Sequence, residues 1–157
     1  MRISRAAFIG TLVGALIANL PSAYSSQKLI KDAKVSSTTC SKNEISLGSA
    51  HISKQLNAFN TRNFAKAYSF ASKEFRSSKT SKQFEEIITT KYSMLLNFKN
   101  FKVTSCDKGG QFFMFTLELL DKKGSAWEVR YLLSNTNGVW GVEAAAVSPI
   151  DSPKLKA

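Results

Sequence analysis

Trp127-Glu128-Val129-Arg130-Tyr131-Leu132-Leu133-Ser134-Asn135-Thr136-Asn137-Gly138-Val139-Trp140-Gly141-Val142-Glu143-Ala144-Ala145-Ala146 decides how this chain folds. Before the turn, Trp127, Val129, Tyr131 and Leu133 alternate with Glu128, Arg130, Leu132 and Ser134. After it, Trp140, Val142, Ala144 and Ala146 alternate with Gly141, Glu143 and Ala145. A period of two places one apolar row on one face of a sheet. Asn137-Gly138 suits a tight reversal, because both residues tolerate positive φ. The stretch therefore reads as a β-hairpin with one face to be covered, and it carries no chemical signature of its own.

Working upstream, Phe113, Phe115, Leu117 and Leu119 form the inward row of another strand, with Phe112, Met114, Thr116 and Glu118 on its other face. Phe101 to Cys106 alternates as a strand before it, and turns are expected at Asp107–Gly110 and Asp121–Gly124. Three helices precede the strands. Ile45, Ile52, Leu56 and Phe59 fall on one stripe of a helix that starts near Asn43 or Ser46 and ends near Asn60. Asn63 caps a second helix, in which Phe64, Ala67, Tyr68, Ala71 and Phe75 share a face. Thr80 and Gln83 have capping-box spacing and open a third helix, with Phe84, Ile87, Ile88 and Tyr92 inward. Three helices followed by four strands on short turns give an α+β domain with an antiparallel sheet.

The flanks read differently. Arg2 and Arg5, the uncharged run Ala6–Leu20 and the small residues Ala23 and Ser25 make residues 1–25 a signal peptide cut before Ser26. Fifteen apolar residues fall short of the ~20 a spanning helix needs, so a retained anchor is the lesser reading. Residues 26–42 form a polar leader, 43–148 the folded domain, and 149–157, with Pro149 and Pro153, a disordered tail. In an oxidising compartment Cys40 and Cys106 are expected to pair. A loop of about 65 residues closed in this way would stabilise the fold by roughly 4 kcal/mol.

The chain of 157 residues carries a formal charge of +11, of which Arg2 and Arg5 would leave with the signal peptide. Its lysines are dispersed, with no basic run longer than Lys122-Lys123, so the charge reads as solubility and no nucleic-acid site is expected. No cofactor and no metal are expected either. There is no Gly-rich phosphate loop, no Cys-x-x-Cys and no His-Glu-x-x-His, and the only histidine, His51, is read as a boundary residue.

The set Ile52-x3-Leu56-x-Ala58-Phe59 before Asn63, Ala67-Tyr68-x-Phe70-Ala71, Phe84, Tyr92, Gly124-x2-Trp127, Tyr131-x-Leu133 and Asn137-Gly138-x-Trp140-x-Val142 resembles the nuclear transport factor 2-like superfamily. That is the cone-shaped fold shared with ketosteroid isomerase and scytalone dehydratase. The arrangement is similar to an uncharacterised bacterial family within it, of small and often exported domains, over about residues 45 to 147. The resemblance implies a curved sheet wrapped around the helices, a pocket inside the cone and frequent dimers through the sheet. It implies no activity, because the fold carries many unrelated ones.

Enzymes of the superfamily move protons with a carboxylate or a His-Asp pair inside the cone. Here the inward rows offer phenols only, from Tyr68, Tyr92 and Tyr131, while Glu118, Glu128, Arg130 and Glu143 are expected to face out. A phenol with a pKa near 10 is a poor base at neutral pH. The expected pocket lining is Leu56, Phe59, Tyr68, Phe84, Tyr92, Phe115, Trp127, Val129 and Tyr131. The expectation is thus an exported, non-catalytic domain that holds a small apolar ligand or a protein partner and can pair with a second copy through Phe112, Met114 and Leu132 on the outer sheet face. The alternative is a lyase or isomerase of the ketosteroid-isomerase or scytalone-dehydratase kind.

Overall fold

The computed structural model describes residues 38–150. The expected signal peptide, the expected leader up to residue 37 and the expected tail from residue 151 lie outside the described residues. In chain order the elements are β1 (Thr38–Thr39), α1 (Lys42–Asn60), α2 (Phe64–Ser69), α3 (Lys73–Ser78), α4 (Ser81–Lys91), a 3-10 turn (Ser93–Asn97), β2 (Phe98–Gly109), β3 (Phe112–Asp121), β4 (Ala126–Thr136) and β5 (Val139–Pro149). The strands form one antiparallel sheet in the order β1-β2-β3-β4-β5. The class is α+β, with five strands where four were expected. The additional strand comes from the leader, where Thr38 and Thr39 pair with Lys108 and Asp107.

Local signals account for most boundaries. Ser41 Oγ accepts from the Glu44 N–H while the Glu44 carboxylate accepts from the Ser41 N–H at 2.7 Å, a complete capping box for α1. The expected box of Thr80 and Gln83 opens α4 in the same way. At the hairpin, Asn137 and Gly138 have φ of 53° and 84°, so the turn follows the twist of β4 and β5.

The second helix does not run from Phe64 to Phe75. It stops at Ser69, and a new helix starts at Lys73. Between them the backbone of Phe70–Ser72 lies against the edge of β5. The Val142 N–H donates to the Phe70 carbonyl at 3.0 Å, and the Ser72 N–H donates to the Val142 carbonyl at 2.9 Å. Satisfying the edge of β5 outweighs continuing a helix whose apolar periodicity runs unbroken across the gap.

The sheet departs from strict alternation at three bulges, where the register skips Lys99, Thr104 and Glu143. A bulge transfers every later residue of its strand to the opposite face. Strict alternation from Phe101 would point Cys106 outward; the bulge at Thr104 sets it opposite the buried Phe115 instead. The bulge at Glu143 sets Ala145 opposite Tyr131 and Val147 opposite Val129 on the inner face. Ala144 and Ala146 join Met114 and Leu132 on the outer face, which corrects the expected row Trp140-Val142-Ala144-Ala146. Asp107 lies within the ladder rather than in a turn, and β5 runs through Ser148 and Pro149, paired with Glu128 and Trp127.

The core lies between the helices and the inner sheet face. Ile52, Leu56, Phe59, Phe115, Leu117, Leu119, Val129, Tyr131 and Leu133 are all almost fully buried. Each such side chain contributes roughly 1.5–3 kcal/mol relative to exposure.

Candidate functional site: a cavity inside the cone

A cavity of about 80 Å³ lies between α1, the α2–α3 link, α4, and the β4–β5 side of the sheet. Its wall is mostly apolar, with Phe59 from α1, Phe84, Ile87 and Ile88 from α4, and Leu95 from the 3-10 turn. A water needs roughly 10–15 Å³ of such space, so the cavity has room for several waters or one small ring.

Four polar side chains besides the exposed Lys79 belong to this lining. Gln55 is buried, and its Nε2 donates to the Ala67 carbonyl at 3.2 Å. Glu143 sits at the β5 bulge, where its Oε2 accepts from Ser72 Oγ at 2.7 Å. Ser72 Oγ in turn accepts from the Phe75 N–H at 2.9 Å and caps α3. The Tyr92 hydroxyl donates to the Ala145 carbonyl at 3.0 Å, and burial raises its pKa. Tyr131 is 1% exposed, yet its hydroxyl has no hydrogen-bond partner. Burial, with a smaller contribution from nearby Tyr92, raises its pKa well above the ordinary phenol value. An unsatisfied buried hydroxyl costs about 1–3 kcal/mol.

Of the expected lining residues, Phe59, Phe84, Tyr92 and Tyr131 meet at this cavity. Leu56, Tyr68, Phe115, Trp127 and Val129 do not line it, and each is held elsewhere for a physical reason. Leu56 and Val129 are fully buried core residues. The Phe115 ring fills the space over Gly48 of α1 and packs edge-on to Trp140. The Tyr68 hydroxyl bonds the Arg76 and Lys79 carbonyls, closing the far end of α3. The Trp127 indole N–H donates to Asp121 Oδ2 at 3.1 Å, at the β3–β4 turn.

Gln55, Ile88, Leu95 and Glu143 were not anticipated in the cavity. A signal for Gln55 did exist, since it shares the apolar stripe of Ile52, Leu56 and Phe59 at helical spacing. For Glu143 there was none, because strict alternation sends it outward. Glu118, Glu128 and Arg130 do lie on the outer face, where Glu118 pairs with Lys102 and Glu128, and Arg130 with Thr116.

His51 lies outside the cavity. Its Nε2–H donates to the Phe70 carbonyl at 2.8 Å and its ring packs edge-on to Phe70, so it braces the α2–α3 link. Burial lowers its pKa, against the opposing effect of that hydrogen bond. Among the described residues no group of three or more His, Cys, Asp or Glu could hold a metal ion.

Cys40 and Cys106 form a disulfide with Cα atoms 5.5 Å apart, and the Cys40 N–H donates to the Cys106 carbonyl at 3.1 Å. Lys108 Nζ lies 2.7 Å from Glu44 Oε1, so the start of α1 is tied to β2 twice over. No described helix is long and apolar enough to cross a membrane.

The model of the family "Domain of unknown function (DUF4864)" matches residues 42–155, almost the whole of the folded region. The chain belongs to the DUF4864 family. Among solved structures, this DUF4864 domain is similar to an NTF2-like protein of unknown function from Shewanella baltica OS155. That match has a TM-score of 0.51 at 13% identity and covers 73% of this chain and 100% of the other. At that identity the likeness concerns the fold alone, and it agrees with the nuclear transport factor 2-like architecture expected from the sequence. No curated protein matches the DUF4864 chain at a significant level.

Proposed function

We propose that this DUF4864 protein is an exported binding domain whose cone holds one small, largely apolar ligand and does not transform it. The cavity carries the reading: its wall is apolar, and the one carboxylate at its edge, on Glu143, is engaged by the serine that caps α3. Pockets of this composition recognise their ligands by shape and a few placed polar groups. Benzene, used as a neutral probe, is expected to shift the methyl resonances of Ile88 and Leu95 and to raise Tm. In Ala145→Leu, which fills the space opposite Tyr131, both responses should vanish. Benzene binding that survives in Ala145→Leu, or no binding to either protein, would exclude the cavity as the site.

A lyase or isomerase is the second reading, and the position of Glu143 at the cavity edge favours it. It requires that Glu143 leave Ser72 and act as a base. Turnover in an isomerase or dehydratase screen that is lost in Glu143→Gln, with folding intact, would establish this reading over the first.

Export is supported by the charged start, the apolar run and the small residues before Ser26, together with a disulfide suited to an oxidising compartment. Intact mass analysis of the mature protein should find an N-terminus at Ser26, and a retained Met1 would overturn it. Self-association is the remaining part of the proposal. On the outer sheet face the partly buried Leu132 and Ala146 pack on the buried Met114 and Ala144, on the same face as Arg130 and Glu128. Light scattering should give a dimer at high micromolar concentration and a monomer for Leu132→Glu; a wild-type monomer would remove the idea.

A further inference from the structure

We infer that the ligand of the cone carries a neutral hydrogen-bond acceptor, a carbonyl or ether-type oxygen, seated on the hydroxyl of Tyr131. This rests on the cavity being a binding site and adds the chemical class of what it takes. Three observations lead to it. First, Tyr131 lines the cavity at 1% exposure, and its hydroxyl is one of only two buried side-chain polar atoms without a partner among the described residues. A hydroxyl left unpaired in a packed interior is a standing cost, which a ligand acceptor would relieve. Second, apart from the exposed Lys79, the other polar side chains at the wall are already engaged: Tyr92 donates to the Ala145 carbonyl, Gln55 to the Ala67 carbonyl, and Glu143 accepts from Ser72. Among these buried groups Tyr131 thus holds the uncommitted donor, on a residue paired with Ala145, another residue of the cavity lining.

Third, the surroundings select a neutral partner. The same burial that keeps the phenol protonated would penalise a charge on the ligand, and a protonated phenol presents a donor. A carboxylate or phosphate would have to give up its hydration against Phe59, Phe84 and Ile88, and the cation among the lining residues, Lys79, is itself exposed to water. A purely hydrocarbon ligand would leave the hydroxyl as it is. An oxygen acceptor on an apolar body satisfies both the wall and the donor.

Cyclohexanone and methylenecyclohexane provide the test, since they share a shape and differ in having C=O or C=CH2. Binding of each to the full mature chain and to Tyr131→Phe would be followed by NMR titration. The wild type should bind cyclohexanone about three- to tenfold more tightly than methylenecyclohexane, the range expected for one buried hydrogen bond. In Tyr131→Phe that preference should be lost or reversed, because the carbonyl then loses its hydration with no donor to replace it. Tyr131→Phe removes a hydroxyl that bonds to nothing in the protein, so the variant should fold normally. Equal binding of the two probes to the wild type would overturn the acceptor inference and leave the apolar site standing. A preference that persists in Tyr131→Phe would overturn the role of Tyr131. Failure of both probes to bind would overturn the inference together with the site beneath it.

Discussion

Gly48 of α1 lies directly against the ring of Phe115 on β3, so closely that a Cβ on Gly48 would overlap the far end of that ring. Phe115 is fully buried, and its ring is held on its other side by Trp140. Helix α1 can approach the sheet this closely only without a side chain at position 48. Gly48→Ala gains up to about 1 kcal/mol of helix propensity, but overpacking costs about 1–3 kcal/mol. The expected outcome is net destabilisation, measured as a lower midpoint in urea. Phe115→Leu in the same background should recover part of the loss, whereas a more stable Gly48→Ala would contradict the packing described.

The Cys40–Cys106 bridge spans 66 residues and holds the start of α1 against β2. Its reduction should lower stability by roughly 4 kcal/mol in the chain-entropy model. Urea unfolding with and without a reductant, alongside Cys40→Ser/Cys106→Ser, measures it. Equal midpoints in all conditions would show that the Glu44–Lys108 pair and the capping box suffice.

Acid should destabilise the domain in two stages. His51 has a pKa depressed below 6.5 by burial, so the unfolded chain takes up its proton first and stability falls as pH drops below 6.5. Glu44 is held down at about 2, chiefly by its hydrogen bond to Lys108 and then by the Ser41 N–H. The stability it confers is full above its unfolded value of 4.5 and is lost as pH falls from there towards 2. Asp121 acts in the same direction below 3.8, held down by the Ser125 N–H and then the Trp127 indole. Urea midpoints measured from pH 7 to 2 should decline throughout. Lys108→Met should flatten the step below pH 4.5 and leave the decline that begins below pH 6.5 in place.

Ser72 caps α3 with the same hydroxyl that it donates to Glu143. Ser72→Ala removes the cap and leaves the carboxylate without that partner, an expected loss of about 1–2 kcal/mol. Glu143→Gln retains an acceptor for Ser72 and should cost less. Amide exchange should show faster opening at Phe75 in Ser72→Ala; unchanged exchange there would show that the cap contributes nothing.

Local chemistry was legible in the residues themselves. The two rows either side of Asn137-Gly138 specify a hairpin, Thr80 with Gln83 starts a helix, and Asn63 caps another. The inward rows of β3 and β4 could be read because no bulge interrupts their pairing, so a period of two carries through from Phe113 to Leu119 and from Trp127 to Leu133. Two cysteines in a chain that begins like an exported protein made a bridge the expectation, and Phe59, Phe84, Tyr92 and Tyr131 could be assigned to the interior.

What the chain could not disclose depends on neighbours distant in sequence. Alternation alone would have turned Cys106 and Ala145 outward, and only pairing with β3 and β4 introduces the bulges at Thr104 and Glu143 that bring them inside. The apolar stripe from Phe64 to Phe75 contains no sign that Phe70–Ser72 will leave the helix. The break is made by the unsatisfied edge of β5 at Val142, whose N–H and carbonyl find their partners there. The cavity is a product of the same events. Phe115 fills the space over Gly48, Ala145 comes opposite Tyr131, and a hydroxyl is left without a partner. Backbone hydrogen bonds between strands set which residue faces which, and no window of sequence contains both ends of those bonds.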